Sequence, residues 1–265
     1  MLHRLPTSIK NLPAAIYVVL IYGFIFLPVI VLVLFSFHDT RVPIPPFSGP
    51  SLKWYEAILS DSRLMDALYN SLIVAIMSSA VSVILGFLAA WSLARNRLPF
   101  SGLIQGIITA PLTVSYLIIA MGLLITFNTL GIPKSLFSVG IGHVVINLPL
   151  CFAIIYSQMG AHQANIERAA RDLGAREWQV MVLITVPMLW PALFASFFLA
   201  VTFSWDEFII AFMVSRFDVT LPVEIWSMLR TGLNPKTNAV GSLVFLISIV
   251  VVLLLDLVVF RRKKA

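Results

Sequence analysis

Six long stretches of this chain carry almost no charge, and they limit its fold more than anything else in the sequence. They run over Leu12–Phe37, Leu68–Ala94, Gly102–Phe127, Leu136–Met159, Met188–Ala211 and Ala239–Phe260. A bilayer core takes roughly 20 apolar residues of helix, and the first stretch alone would make about 39 Å of it. Of the 265 residues, 60% are hydrophobic and 11% charged, against roughly 25% charged in a soluble domain. The runs are continuous, unlike the ~10-residue alternating strands of a membrane barrel. The expected fold is an all-α integral membrane protein with six transmembrane helices. A single transmembrane domain is expected over 1–265. Within it, 1–67 holds the first span and an external loop, 68–260 a five-span core, and 261–265 a basic tail. Arg4 and Lys10 precede the first run, but the run is too long for a signal-peptide core and no small-x-small site follows, so it reads as a retained helix.

Basic residues give the orientation. With the N-terminus inside, Arg4, Lys10, Arg95, Arg97, Arg168, Arg171, Arg176 and the terminal Arg261, Arg262, Lys263 and Lys264 are cytoplasmic. Fewer fall outside, which is the positive-inside pattern. Both termini are then cytoplasmic, as an even number of spans requires. The net charge of +6 is accounted for by topology, with no need of nucleic acid. The basic tail would meet anionic membrane lipid. Cys151 is alone in an apolar run and reads as a buried packing residue.

The external segments differ in character. Residues 38–67 are rich in proline and carry Trp54 and Tyr55. Residues 212–238 hold Leu221-Pro222 and then Ile225, Trp226, Met228 and Leu229. That group has helical spacing but is too short to span, so it reads as a re-entrant or interfacial helix.

The chemistry of an enzyme is absent. There is no phosphate-binding loop, no H-E-x-x-H and no G-x-S-x-G. His3, His38, His143 and His162 are scattered singly, so no metal site is expected. Any work against a gradient must draw on an ion or on another polypeptide.

Carboxylates within spans are costly and mark functional candidates. Asp206 and Glu207 follow Trp205 in the fifth span, and Asp256 lies near the end of the sixth, before Arg261 and Arg262. Asp256 is expected to snorkel or pair there. On one continuous helix, Asp206 and Glu207 would point about 100° apart, so one could line a path for a cationic solute while the other pairs elsewhere. Pro111 in the third span, Pro149 in the fourth, and Pro187 and Pro191 at the start of the fifth are candidate helix breaks.

A charged island, residues 167–187, separates the fourth and fifth spans. Ile166, Ala169, Ala170 and Leu173 fall at i, i+3, i+4 and i+7, one apolar face of a helix. Glu167, Arg168, Arg171 and Asp172 are expected on the other faces. Gly174 then ends that helix, and a second helix is expected from Arg176 to Ile184, stopped by Pro187.

The island resembles the cytoplasmic loop of permease subunits of type I ABC importers, whose pattern is E-A-A, three residues, Gly, nine residues, I-x-L-P. Ala169, Ala170, Gly174, Ile184 and Pro187 fall in register. Arg168 stands where the acid is usual, with Glu167 one residue early, and Val186 replaces the leucine. Asn70-Ser71-Leu72, at the start of the second span, is also similar to this family, and Asp172-Leu173-Gly174-Ala175, Trp205-Asp206-Glu207 and Leu221-Pro222 with Ile225-Trp226-Ser227-Met228 are similar to its spermidine/putrescine-type branch. Leu112 follows Pro111 where branch members carry an acid.

This resemblance implies the type I importer permease fold and a non-catalytic subunit. The loop would be a coupling helix seated on an ATPase subunit, through Glu167, Arg168, Ala169, Ala170, Leu173, Gly174, Ile184 and Pro187. It implies two ATPase partners, which bind the ATP and Mg. It also implies a second permease, non-identical as in polyamine-type systems, with a homodimer as the alternative, and an extracytoplasmic solute-binding protein touching Trp54, Pro222 and Trp226. Trp205, Asp206, Glu207 and Pro111 would belong to the substrate pathway, in a bacterial inner membrane. Polyamines are the implied substrate, with opines, amino-acid derivatives, phosphonates and ferric ion as alternatives. The rival reading is a stand-alone ion-coupled carrier or channel.

Overall fold

The computed structural model describes residues 12–40, 46–96, 98–232 and 234–261. The side chains of the last span beyond 253, and the tail 262–265, lie outside the described residues, and with them Asp256 and the tail's basic side chains. Among the described residues there is no strand, only an isolated bridge between His38 and Pro50. The helices are α1 Leu12–Ser36, α2 Lys53–Leu59, α3 Ser62–Arg95, α4 Ser101–Thr109, α5 Tyr116–Thr129, α6 Leu136–Ser157, α7 Ala161–Asp172, α8 Glu177–Asp206, α9 Ile209–Val214, α10 Leu221–Thr231 and α11 Pro235–Arg261. Four of them, α1, α3, α6 and α8, are each long and apolar enough to span a membrane. The chain divides into two compact units, 1–62 with 227–247 and 63–226 with 248–265.

In the first unit α1 exposes nearly its whole circumference, from Ile16 to Leu34. Its core is small. Ser36 Oγ lies 2.7 Å from the Tyr55 hydroxyl, and Trp54 Nε1 donates to the His38 carbonyl at 2.7 Å. Lys236 donates to Asp61 at 2.5 Å. Leu32 reaches within 3.1 Å of where a Cβ on Gly241 would sit, so the glycine admits α1 against α11.

In the second unit α3 presents a buried stripe of small residues, Ser71, Ala75, Ser78, Ser79, Ser82, Gly86 and Ala90. Small side chains let helix backbones approach in lipid, where apolar burial alone gives no drive to associate. The approach is closest at Gly86, where an added Cβ would lie 2.9 Å from the Phe152 backbone nitrogen. Two apolar cores result. One gathers Val74, Ala120, Phe127, Val139, Ile146, Ile210, Ala211, Val214 and Val223; the other gathers Phe87, Ala90, Cys151, Phe152, Ile155, Met159, Leu189 and Ala200. Cys151 is fully buried, as expected.

One expected helix break is present, and the fifth span departs from expectation at both ends. In the third stretch α4 with its trailing 3₁₀ turn Ala110–Thr113 meets α5 at a bend of 107°. Pro111 opens that turn, and the extended Val114 and Ser115 follow. Proline lacks the donor that would carry an α-helix onward. At the fifth span the reverse holds. Pro187 does not stop the loop helix, because residues 180–185 form a π-turn and Pro187 falls in the first turn of the α-helical segment Val186–Asp206. A missing N–H is tolerated in a first turn. The fifth-span helix also ends at Asp206, short of Ala211, and restarts as α9.

Candidate functional site

The island folds as a helix, a glycine elbow and the start of a long helix. Helix α7 ends in a Schellman motif: Ala175 N–H donates to the Ala170 carbonyl at 3.0 Å and Gly174 N–H to the Arg171 carbonyl at 2.9 Å. That closure needs a left-handed residue, and Gly174 has φ +88°. The next helix is capped by Gln179 Oε1, which accepts from Arg176 N–H at 2.8 Å. Arg171 spans the elbow with a two-point ion pair to Glu177, at 2.7 and 3.0 Å.

The apolar stripe expected on α7 is unburied. Ile166 is 37% and Leu173 89% exposed, Ala169 is exposed and Ala170 half-buried. Arg168 is exposed beside it, bonded to Asn165 at 3.3 Å. Glu167 is the correction. Expected on a polar face, it is fully buried because its carboxylate meets Arg95 Nε at 2.5 Å, Arg95 Nη2 at 3.2 Å and the Thr185 hydroxyl at 2.9 Å. Behind the loop, Ile184 is half-buried and Pro187 exposed. In the sequence Arg95 stands out only as a topology marker, and Thr185 carries no signal of its own. A cytoplasmic arginine ending one span, opposite a lone acid in the next loop, was the available signal.

The break after α8 replaces the expected arrangement of acids. Asp206 is the last residue of the helix and is exposed, whereas Glu207 lies beyond the helix end and is 5% exposed. The Glu207 carboxylate caps α9, accepting from Ile210 N–H at 2.9 Å and Ala211 N–H at 3.2 Å. His143 Nε2 faces it at 3.4 Å. On its other side, His143 Nδ1 lies 2.6 Å from Ser204 Oγ, which lies 3.2 Å from Ser78 Oγ. A chain of polar groups thus joins α3, α8, α6 and the break. In the sequence His143 is one of four scattered histidines. An ionisable residue in an uncharged span is itself the signal. Trp205 is 8% exposed, and Pro111, at the bend, is not a member of this chain.

The short helix expected in 212–238 is α10. Its start is fixed to α3: Leu221 N–H donates to Ser71 Oγ at 2.7 Å, Asn70 Nδ2 to the Val219 carbonyl at 3.1 Å, and Arg63 Nε to Glu224 at 2.9 Å. Trp226 is 44% exposed and packs on Phe208 with ring centres 5.6 Å apart. Pro222 is half-buried. Trp54, in the other unit, is half-buried with Lys53 Nζ 5.1 Å from its ring centre.

Residues 82–264 match the family described as the binding-protein-dependent transport system inner membrane component. The chain belongs to that family. It is 28% identical over 246 residues to the spermidine/putrescine transport system permease protein PotC of Escherichia coli (strain K12), covering 92% of each. It is 34% identical over 237 residues to the putrescine transport system permease protein PotI of the same strain, covering 86% of this chain and 84% of PotI. A chain of a bacterial ABC transporter involved in the import of the acidic polysaccharide alginate has the same fold, with a TM-score of 0.72 at 19% identity over 97% of this chain and 98% of that one. A chain of the MetNI methionine ABC transporter aligns with a TM-score of 0.57 at 14% identity, over 76% and 98%. This family member is thus a multi-pass inner-membrane permease with the type I ABC importer permease fold, and the island lies inside the matched region.

Proposed function

We propose that this chain forms half of the translocation pathway of an ATP-driven importer for polyamines or a related small cationic solute. The observation that carries the reading is α7: its stripe of Ile166, Ala169 and Leu173 is exposed although its polar Glu167 is buried. A helix that turns its apolar side outward, at the end of a membrane bundle, fits a groove on a partner. Similarity to PotC and PotI supports polyamines as the cargo.

On this reading two ATPase subunits bind the ATP and Mg and seat α7, with Arg168 and Arg171 at the rim of the contact. A second, non-identical permease supplies the other half of the pathway. A solute-binding protein delivers cargo at Trp54, Pro222 and Trp226. Both termini are cytoplasmic. Asp206, exposed at the end of α8, offers negative charge to a cationic solute, with Trp205 and Pro111 shaping the path. Glu207 has its charge met by two backbone N–H groups and faces His143, so it shapes the break and leaves solute contact to Asp206.

Proteoliposomes holding the chain with its ATPase, second permease and binding protein should accumulate labelled putrescine or spermidine only when ATP is supplied. Gradient-driven flux of the same solutes through the chain alone would overturn the reading in favour of a carrier or channel.

A further inference from the structure

Glu167 is turned away from the surface that α7 offers to a partner. It is fully buried, and its two oxygens are shared among donors from two other elements. Arg95, the last residue of α3, grips it at two points, and Thr185 bonds it from the π-turn that opens α8. The Arg95 side chain is itself only 9% exposed and also donates to the Met159 carbonyl at 3.4 Å, in the link between α6 and α7. The Thr185 hydroxyl further lies 3.3 Å from the Val180 carbonyl, across the π-turn. Three chain segments therefore meet at one carboxylate.

A guanidinium fork on a carboxylate fixes angle as well as distance, which a single-point ammonium does not. Burial strengthens the constraint, because separating the pair would strand a charge out of water. A π-turn is a local departure from α geometry and is often found at functional positions. Here its last residue, Thr185, bonds the acid of α7.

We propose that Arg95 is a positioning residue for energy coupling, which through Glu167 and Thr185 makes α7, the end of α3 and the π-turn of α8 move as one lever. This rests on the reading of α7 as the ATPase-docking helix. Displacement of α7 then reaches two spans at once. Arg168, which lines the open cleft beside the pair, remains for the partner, whereas Arg171 in the same cleft is held by Glu177.

The test uses the complete transporter in proteoliposomes, with Arg95→Lys and Thr185→Val. Lysine keeps the charge opposite Glu167 and valine keeps the shape of threonine, so both variants assemble. Solute accumulated per ATP hydrolysed should fall roughly fivefold or more in Arg95→Lys, a coupling loss of ordinary size for linked sites. Spin labels on Asn96→Cys and Leu173→Cys, both exposed, report the lever within this chain alone. Their distance distribution should be narrow with Arg95 and broad with Arg95→Lys. A distribution unchanged in both variants would overturn the lever, whatever the ATPase does. So would a wild-type ratio of transport to hydrolysis in both. Failure of the wild-type complex to hydrolyse ATP on solute delivery strikes the functional reading instead, and leaves the spin-label result to decide the lever.

Discussion

The imidazole of His143 stands 3.4 Å from the carboxylate of Glu207, both side chains 1% exposed, at the point where α8 ends and α9 begins. A buried carboxylate is tolerated where donors surround it. Here two backbone N–H groups of α9 donate to it, and the imidazole lies alongside. The two adjacent acids should therefore respond differently to neutralisation. Glu207→Ala removes the cap and should cost about 2 kcal/mol, read as a lower melting temperature in detergent. Asp206→Asn should leave melting unchanged and raise the KM for putrescine uptake.

Gly174→Ala places a side chain at φ +88°, where an L-residue is strained by roughly 1–2 kcal/mol. Beyond its two chain neighbours nothing lies within 4 Å of the added Cβ, so the strain is of the backbone alone. The elbow should loosen, with faster amide exchange at Gly174 and Ala175 and weaker retention of the ATPase on purification.

Leu173→Asp tests the stripe from outside. Leu173 is 89% exposed, so melting should hold. Co-isolation with the ATPase should be lost, since the substitution places a charge at the centre of an apolar contact. Unaltered co-isolation would remove α7 as the docking element.

Gly86→Ala should destabilise by about 1–3 kcal/mol. Its Cβ would meet the Phe152 nitrogen at 2.9 Å and the Cys151 Cβ at 3.0 Å, and helix backbone gives way less readily than a side-chain tip. Thermal unfolding of the detergent-solubilised chain measures it.

Ser71→Ala leaves the buried Leu221 N–H without its acceptor, at a cost of about 1–3 kcal/mol. Hydrogen exchange should rise at Leu221 and Val223, at the start of α10, while α6 stays protected.

The sequence by itself determined the class of fold. Uncharged runs must be helical in lipid, since only a helix satisfies their backbone groups locally. That is why α1 and α6 lie close to their expected bounds, and why α3 ends where expected although it begins at Ser62. It also determined the elbow, because a left-handed helix end calls for glycine at Gly174. What it left open were the places where two elements compete for one group. Pro111 and Pro187 look alike in a sequence, yet one sits at a sharp bend and the other rides in a first turn, because the π-turn before Pro187 sets its position. Adjacent acids look equivalent, yet Asp206 ends a helix in the open while Glu207 turns back to cap α9. Glu167 belongs by spacing to a polar face, yet Arg95, 72 residues earlier, draws it inward. A carboxylate's partner is set by distance in space, and local periodicity holds no record of it. Only the tertiary structure decided those three.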